Sequence, residues 1–237
     1  MPRIEVPEHV LRAFQLDGEG QATSAAWDNG ARFRRVVVAP ATPAGVWSAK
    51  VRERIAPGVD GVRISRPVRA TDGRFVVSGF AANEFVEGAP AARVDEVVAV
   101  SLRIDAALAA AGTPNPEPAR HVWREMDKAV WAGEEMPVEA VVADLDLLRR
   151  CLFDGYAAPA VAALTPSADV RPRGYTAAVV MVDGLLAGAV DDRVVNRWAH
   201  IPNLRHLLVK ALEFRKLTAP RSNVVTDFER IASIVSP

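Results

Sequence analysis

The sequence predicts a bilobal α+β protein, with a small β-rich N-lobe over residues 1–88 and a mainly helical C-lobe over residues 89–237. Three observations predict it. Short apolar runs broken by turn signals fill the N-lobe, and Asp72-Gly73 between two of them marks a hairpin. The rest of the chain carries apolar residues at i, i+3 and i+4, the spacing that lines one face of a helix. Between the two patterns, Glu87-Gly88-Ala89-Pro90 is a turn-rich joint.

Each element follows from its local pattern. Residues 7–14 form a short amphipathic helix or turn, and residues 32–38 (RFRRVVV) a strand ended by the turn at 40–43. Residues 46–55 have helical spacing, with Val46, Trp47, Val51 and Ile55 apolar and Lys50, Arg52, Glu53 and Arg54 mostly outward. Residues 62–68 and 74–80 are the two strands joined by Ala70-Thr71-Asp72-Gly73, and 83–86 is a further extended piece. A long helix over 94–111 places Val97, Val98, Ser101, Leu102, Ile104, Asp105 and Leu108 at helical spacing, and Gly112 with TPNPEPAR closes it. Further helices are expected over 121–132, 175–190, 193–198, 203–217 and 223–235. The tryptophans Trp47, Trp123, Trp131 and Trp198 fall in these helical patterns and read as packing residues.

Composition excludes several classes of function. Lysine plus arginine and aspartate plus glutamate each number 29, so no overall field recruits nucleic acid or an anionic membrane. Arg32, Arg34 and Arg35 make a small basic patch, in which Arg32 and Arg34 share the solvent face of the expected strand. The single cysteine, Cys151, allows no internal disulfide framework, and the scattered His9, His121, His200 and His206 offer no zinc cluster. The most apolar run, 177–190, is interrupted by Asp183, Gly184 and Gly188 and is shorter than the roughly 20 residues a bilayer requires. The N-terminal MPRIEVPEHVLRAF has no apolar core of signal-peptide type. A cytoplasmic protein with neither nucleic acid nor membrane as partner is expected.

The stretch VVADLDLLRRCLFDGYAAPAVAALTP, residues 141–166, has an apolar approach, an Asp-x-Asp segment, a Leu-Phe-Asp-Gly hairpin and a second apolar strand. With VVVAPATPAGVWSAKVRERI, VRISRPVRATDGRFVVSGFAANEFVEG, RVDEVVAVSLRIDAAL and RPRGYTAAVVMVDGLLAGAVDD, it resembles the aminoglycoside/choline-kinase-like phosphotransferases, and an actinobacterial branch of that superfamily in particular. The resemblance covers most of the chain and is most specific over 47–108 and 171–192. It implies a protein-kinase-like fold with a cleft between the lobes.

Phosphoryl transfer needs cationic neutralisation of the phosphates, a metal held by a carboxylate and an amide, and a carboxylate near the incoming hydroxyl. The resemblance puts Ala39 where the phosphate lysine belongs and Lys50 where a glutamate would orient it. Counted back from Leu152-Phe153, the His-Gly-Asp catalytic loop puts its Asp on Asp146, its His on Asp144 and the following metal-binding Asn on Arg150. Counted forward from Val141-Val142, the assignment shifts by one residue. The metal Asp of the Asp-Leu-Thr-Pro segment is Ala163. Arginine repels a magnesium ion and alanine has no ligand atom.

No glycine-rich phosphate loop is evident. Leu16-Asp17-Gly18-Glu19-Gly20 is the sole candidate, and Trp27-Asp28-Asn29-Gly30 reads as a turn into the next strand. Asp183 corresponds to a carboxylate that bonds the backbone of the catalytic loop, and on so apolar a helix it demands a buried partner.

The resemblance and its losses imply a catalytically degenerate phosphotransferase-like protein, a pseudokinase, binding a small molecule or a protein partner in the inter-lobe cleft without a metal site. The alternative is an active small-molecule phosphotransferase using Mg-ATP, with Asp146 (catalytic) near the acceptor hydroxyl, Lys50 on phosphate (cofactor binding) and Asp169 on metal. A third reading is a structural homodimer through the C-terminal helices. One ambiguity bears on all three. Val138, Val141, Val142, Leu145, Leu148 and Leu152 also recur at helical spacing. Residues 138–153 are therefore either a strand and loop, or one helix with Asp144 and Asp146 on its surface.

Overall fold

The computed structural model describes residues 4–117, 121–219 and 228–235. The protein is α+β. In chain order its elements are α1 (Glu8–Ala13), β1 (Gln21–Ala22), β2 (Ala31–Phe33), β3 (Val36–Pro40), α2 (Gly45–Ile55), β4 (Arg63–Ile64), β5 (Pro67–Val68), β6 (Val76–Val77) and β7 (Phe80–Glu84). Then come α3 (Val94–Ala110), α4 (Val122–Val130), β8 (Val141–Asp144), α5 (Leu147–Arg150), β9 (Cys151–Leu152), β10 (Ala160–Val161) and β11 (Pro166–Arg171). The last are α6 (Tyr175–Leu186), α7 (Val194–Arg197), α8 (Leu204–Thr218) and α9 (Phe228–Val235). Of the helix expected over 223–235, residues 223–227 lie outside the described residues, as do 118–120 of the stretch expected to close α3. Among the described residues no helix is long and apolar enough to cross a membrane.

The chain forms two compact units, Met1–Pro90 with Arg149–Thr165, and Ala91–Leu148 with Pro166–Pro237. The segment 149–165 thus belongs with the β-rich part of the chain, not with the helical remainder.

The first unit is built on an antiparallel sheet in the order β1-β2-β3-β7-β5, with β6 also on β7. Val10 and Phe14 of the α1 region pack with Phe33, Val38, Val77 and Ala82 into its core. Two expected strands are each broken by a turn. Residues 32–38 split at Arg34-Arg35, where Arg34 takes a left-handed backbone (φ +53°) and its carbonyl accepts the Nε–H of Arg32 at 2.8 Å. Arg32 and Arg34 consequently do not share a face. Arg32 lies 3.7 Å over the Phe85 ring and pairs with Glu87 at 3.1 Å, while Arg34 pairs with Asp17 at 3.4 Å.

Residues 74–80 split at Ser78-Gly79, both left-handed (φ +48° and +80°), as a two-residue hairpin turn requires. That second turn sends the chain back as β7, which takes the place beside β5 (Val68↔Ala82). The expected ladder between 62–68 and 74–80 is therefore absent. Arg63–Ile64 leaves that sheet altogether. It pairs in parallel with β10, whose antiparallel partner is β9 (Ala160↔Leu152), the Leu-Phe-Asp-Gly hairpin.

The second unit is centred on α6. Every residue from Tyr175 to Val182 is buried, the signature of a helix enclosed on all sides. It packs against α3 and α8, and α8 packs against α4 and α9. Residues 138–153 do not form one helix: β8 pairs antiparallel with β11, and a loop separates β8 from α5. The reason is burial on both faces. Val141 through Leu147 are all buried, including Asp144 and Asp146, so the solvent face that an amphipathic helix needs does not exist.

Two buried carboxylates fasten this unit. Asp127 of α4 is fully buried and receives both the Arg171 guanidinium (2.6 and 3.1 Å) and the Ala168 amide (2.8 Å), tying α4 to β11. Asp105 of α3 accepts the Gly174 amide at 2.9 Å and the Thr176 hydroxyl at 3.3 Å, and Thr176 Oγ1 in turn accepts the Asp144 amide at 2.9 Å. Burial drives the Asp105 carboxyl up to about 6, against the opposing pull of those two donors.

Asp127→Ala strands the Arg171 guanidinium in the interior and is expected to cost about 3–5 kcal/mol in urea unfolding. Glu125→Ala, on the exposed side of the same helix, should change stability by no more than about 0.5 kcal/mol. For Asp105 the folded protein holds its proton longer than the unfolded chain does, so its contribution to stability falls as pH rises from about 4 to about 6. Relative to wild type, Asp105→Asn should therefore gain about 3 kcal/mol between pH 4 and pH 7, at roughly 1.4 kcal/mol per unit. Urea titrations of both proteins across that range would measure it.

Candidate functional site

In the first unit, α2 presents Ser48, Ala49 and Arg52 on one face to a cavity of about 40 Å³ that Asp28, Asn83, Arg150 and Ala163 also line. Lys50 is on another face of α2 and is exposed. Arg52, expected to point outward, is 3% exposed. Its guanidinium donates to the Ser65 carbonyl, to Asn83 Oδ1 at 2.6 Å, to the Ala162 carbonyl at 3.3 Å and to Ser48 Oγ at 3.4 Å. Ser48 Oγ also accepts the Leu164 amide at 3.0 Å. Burial, and then the neighbouring Arg150, bring the Arg52 guanidinium down to about 10, which leaves it protonated at neutral pH.

Arg150 is equally buried, at 3% exposed. It makes a two-pronged ion pair with Asp28 at 2.7 and 3.0 Å and reaches the Ala26 carbonyl at 3.4 Å. The Trp27–Gly30 turn delivers that carboxylate. Asp28 and Asn29 are consecutive left-handed residues (φ +54° and +52°), a conformation their short polar side chains tolerate. Gly30 follows where any side chain would collide, since a Cβ there would sit 2.5 Å from the Val38 carbonyl oxygen. Arg149 adds a bond to the Ala25 carbonyl at 3.1 Å. Trp27 itself packs with Val37, Leu152, Ala160 and Ala162 in a second small core.

The cavity is small and its walls carry two guanidinium groups against one carboxylate. Its volume has room for a few water molecules, whereas small-molecule sites occupy roughly 300–1,000 Å³. Ala163 and Arg150, the residues that the expected resemblance put at metal-ligand positions, line the same cavity. Ala39 is a buried strand residue opposite Ala81.

In the second unit, Asp146 is 6% exposed just beyond β8, and its amide donates to Asp144 Oδ1 at 2.8 Å. The partner that Asp183 demands is the half-buried Arg215 of α8, bound by two hydrogen bonds at 2.5 and 2.6 Å. Arg215 also donates to the Leu145 carbonyl at 2.7 Å. Asp183 thus supports the loop that carries Asp146 through an arginine instead of directly. Asp169 is exposed on β11, where it accepts from Asn115 at 2.5 Å and from the Val170 amide at 2.9 Å. Among the described residues no group of three or more His, Cys, Asp or Glu is placed to hold a metal ion.

Sequence reasoning missed the burial of Arg52 and the partner of Arg150, the two arginines that dominate the first unit's cavity. For Arg52 a signal existed in the Ser48/Arg52 spacing of i, i+4 beside Ala49, a polar stripe that a buried helix face can carry when acceptors surround it. For Arg150 the partner is 122 residues away, and no local pattern reveals it. Neither the models of known protein families nor the curated proteins include a match to this chain.

The ion pair is unequally exposed, at 3% for Arg150 and 28% for the Asp28 side chain. Asp28→Ala should therefore be the costlier change, at about 3–5 kcal/mol in urea unfolding, because it removes the countercharge of the deeply buried partner. Arg150→Met leaves a carboxylate that water already reaches and should cost roughly half as much or less.

Proposed function

We propose that this chain is a catalytically degenerate phosphotransferase-like protein, of aminoglycoside/choline-kinase type and bilobal kinase-like fold, that binds a small molecule or a protein partner and does not transfer phosphate. The Arg150–Asp28 ion pair is the observation that carries the reading. The position matched to the metal-binding asparagine holds a cation whose charge is already satisfied within the protein. A magnesium ion brought there would meet two buried guanidinium groups instead of ligand oxygens.

Ala163 adds no donor atom, and the exposed Lys50 is not among the residues lining the cavity. Asp146 keeps its place after β8, and its loop stays braced by Arg215 and Asp183, which suits a scaffold that outlasts its chemistry. A cytoplasmic location, with neither nucleic acid nor membrane as partner, belongs to the same proposal and rests on the balanced charge.

Titration with ATP and GTP, with and without magnesium, tests the proposal through heat of binding and thermal midpoint. No magnesium-dependent shift of the midpoint is expected. A ligand at a hundred times its Kd would stabilise the fold by about 2.7 kcal/mol, a shift that is easily seen. Magnesium-dependent stabilisation with nucleotide turnover that Asp146→Asn abolishes would overturn the proposal and establish the active phosphotransferase instead.

A further inference from the structure

The charged groups lining the first unit's cavity are two cations, Arg52 and Arg150, and one anion, Asp28, so the wall carries one net positive charge. Asp28 is taken up by Arg150 through two bonds, at 2.7 and 3.0 Å. Arg52 is left with neutral partners. Its Nε–H donates to Ser48 Oγ, its Nη1 to the carbonyls of Ser65 and Ala162, and its Nη2 to Asn83 Oδ1. Nη2 has a second N–H, and that one bonds to none of the described residues. Glu53, the next residue along α2, is held by Arg69 at 2.7 Å on the exposed side of the helix. A buried charge without a countercharge is costly.

The guanidinium of Arg52 lies between two walls of this cavity. Its partners Ser48 and Asn83 both line it, one from α2 and the other from β7. The second guanidinium is close enough to be felt, since Arg150, after burial, is what most loosens the hold of Arg52 on its proton. Gly45 of the first turn of α2 lines the same wall, so the positive end of the helix dipole adds to the field. Thr42, exposed, marks the side on which the cavity meets solvent. The volume of about 40 Å³ has room for a few water molecules, and so for a bare halide, but not for a nucleotide or an organic acid with a body of its own.

We infer that this cavity binds a small monovalent inorganic anion, chloride in ordinary buffers, which accepts the second Nη2–H of Arg52. Charge sets the sign and the valence, and volume sets the size. A cation would meet two guanidinium groups, and a divalent oxyanion would exceed the single surplus charge. The bound ion supplies the countercharge that carbonyl and amide oxygens do not. The salt in solution thereby tunes how firmly α2, the main sheet and residues 160–164 are held together. The inference takes nothing from the phosphotransferase reading: a nucleotide titration without effect leaves it standing, and a halide titration without effect leaves that reading standing.

The linewidth of the chloride NMR signal tests this, read on the full chain at neutral pH and fixed ionic strength with gluconate as the replacing anion. The protein should broaden the signal saturably, and bromide should reverse the broadening. Arg52→Met should weaken chloride binding at least about tenfold, as the loss of a charge-assisted bond implies. Ala163→Asp should do the same, because it sets a carboxylate in the same wall at a half-buried position. It leaves the partners of Arg52 in place and decides the matter if the Arg52 variant fails to fold. The thermal midpoint should rise when chloride replaces gluconate in the wild type and not in Ala163→Asp. Broadening that does not saturate, or that survives Ala163→Asp unchanged, would overturn the inference. So would reversal by inorganic phosphate at lower concentration than by bromide, which would mark a phosphate site instead.

Discussion

Arg52 joins parts of the first unit that lie far apart in the chain: its own helix α2, the Asn83 side chain of β7, the carbonyl of Ser65 and the carbonyl of Ala162. A guanidinium can do this because its donors diverge in one rigid plane, so one buried group satisfies acceptors on several elements at once. The cost is a charge taken out of water, reflected in the depressed affinity of Arg52 for its proton. The gain is geometric, since α2, the main sheet and the segment around Ala162 must adopt one spacing for the plane to fit. Arg150 sits beside it with Asp28 as its countercharge. The positions of α2, the 25–28 turn and residues 160–164 all follow from how those two cations are accommodated.

How much of this was legible in the sequence depended on range. Helices α3, α6 and α8 announced themselves because their burial is one-sided or complete over many turns, and periodicity over many residues is hard to mistake. The strands were less legible, because their turns are made by Arg34 and Ser78, residue types that rarely take a left-handed backbone and so give no warning. The stretch 138–153 shows the limit of periodicity most clearly. An apolar pattern at helical spacing was present, yet the small and acidic residues between the apolar ones are buried too. Pattern alone does not distinguish a fully enclosed strand and loop from a helix. Of the candidate site, the missing donor atom at Ala163 and the positive charge at Arg150 could be read directly from residue identity. The partner of Arg150 could not, because an ion pair between residues 28 and 150 is a property of the folded chain.

The two units answer the same problem differently. In each, charge is buried, but the first satisfies Arg52 with neutral oxygens alone and gives Arg150 a carboxylate, while the second pairs Asp127 with Arg171 and Asp183 with Arg215. Asp105, like Arg52, has only neutral hydrogen-bond partners among the described residues. A buried group left without a countercharge is where a protein has most to gain from a ligand, and where its stability responds most to pH.

The first unit is discontinuous in sequence, and that fixes when it can exist. Residues 149–165 supply strands β9 and β10, half of the second small core and an acceptor for Arg52. On the ribosome, residues 1–90 emerge well before these pieces, and until they arrive Arg52 has no Ala162 carbonyl and Trp27 packs against an incomplete core. N-terminal segments that fold as units usually do so during synthesis. Here residues 1–90 must wait for residues that follow them, with the strand edge of β4 unpaired meanwhile. The chain is thus most exposed to misassembly during its own synthesis, and the delay lasts as long as the ribosome takes to pass Thr165.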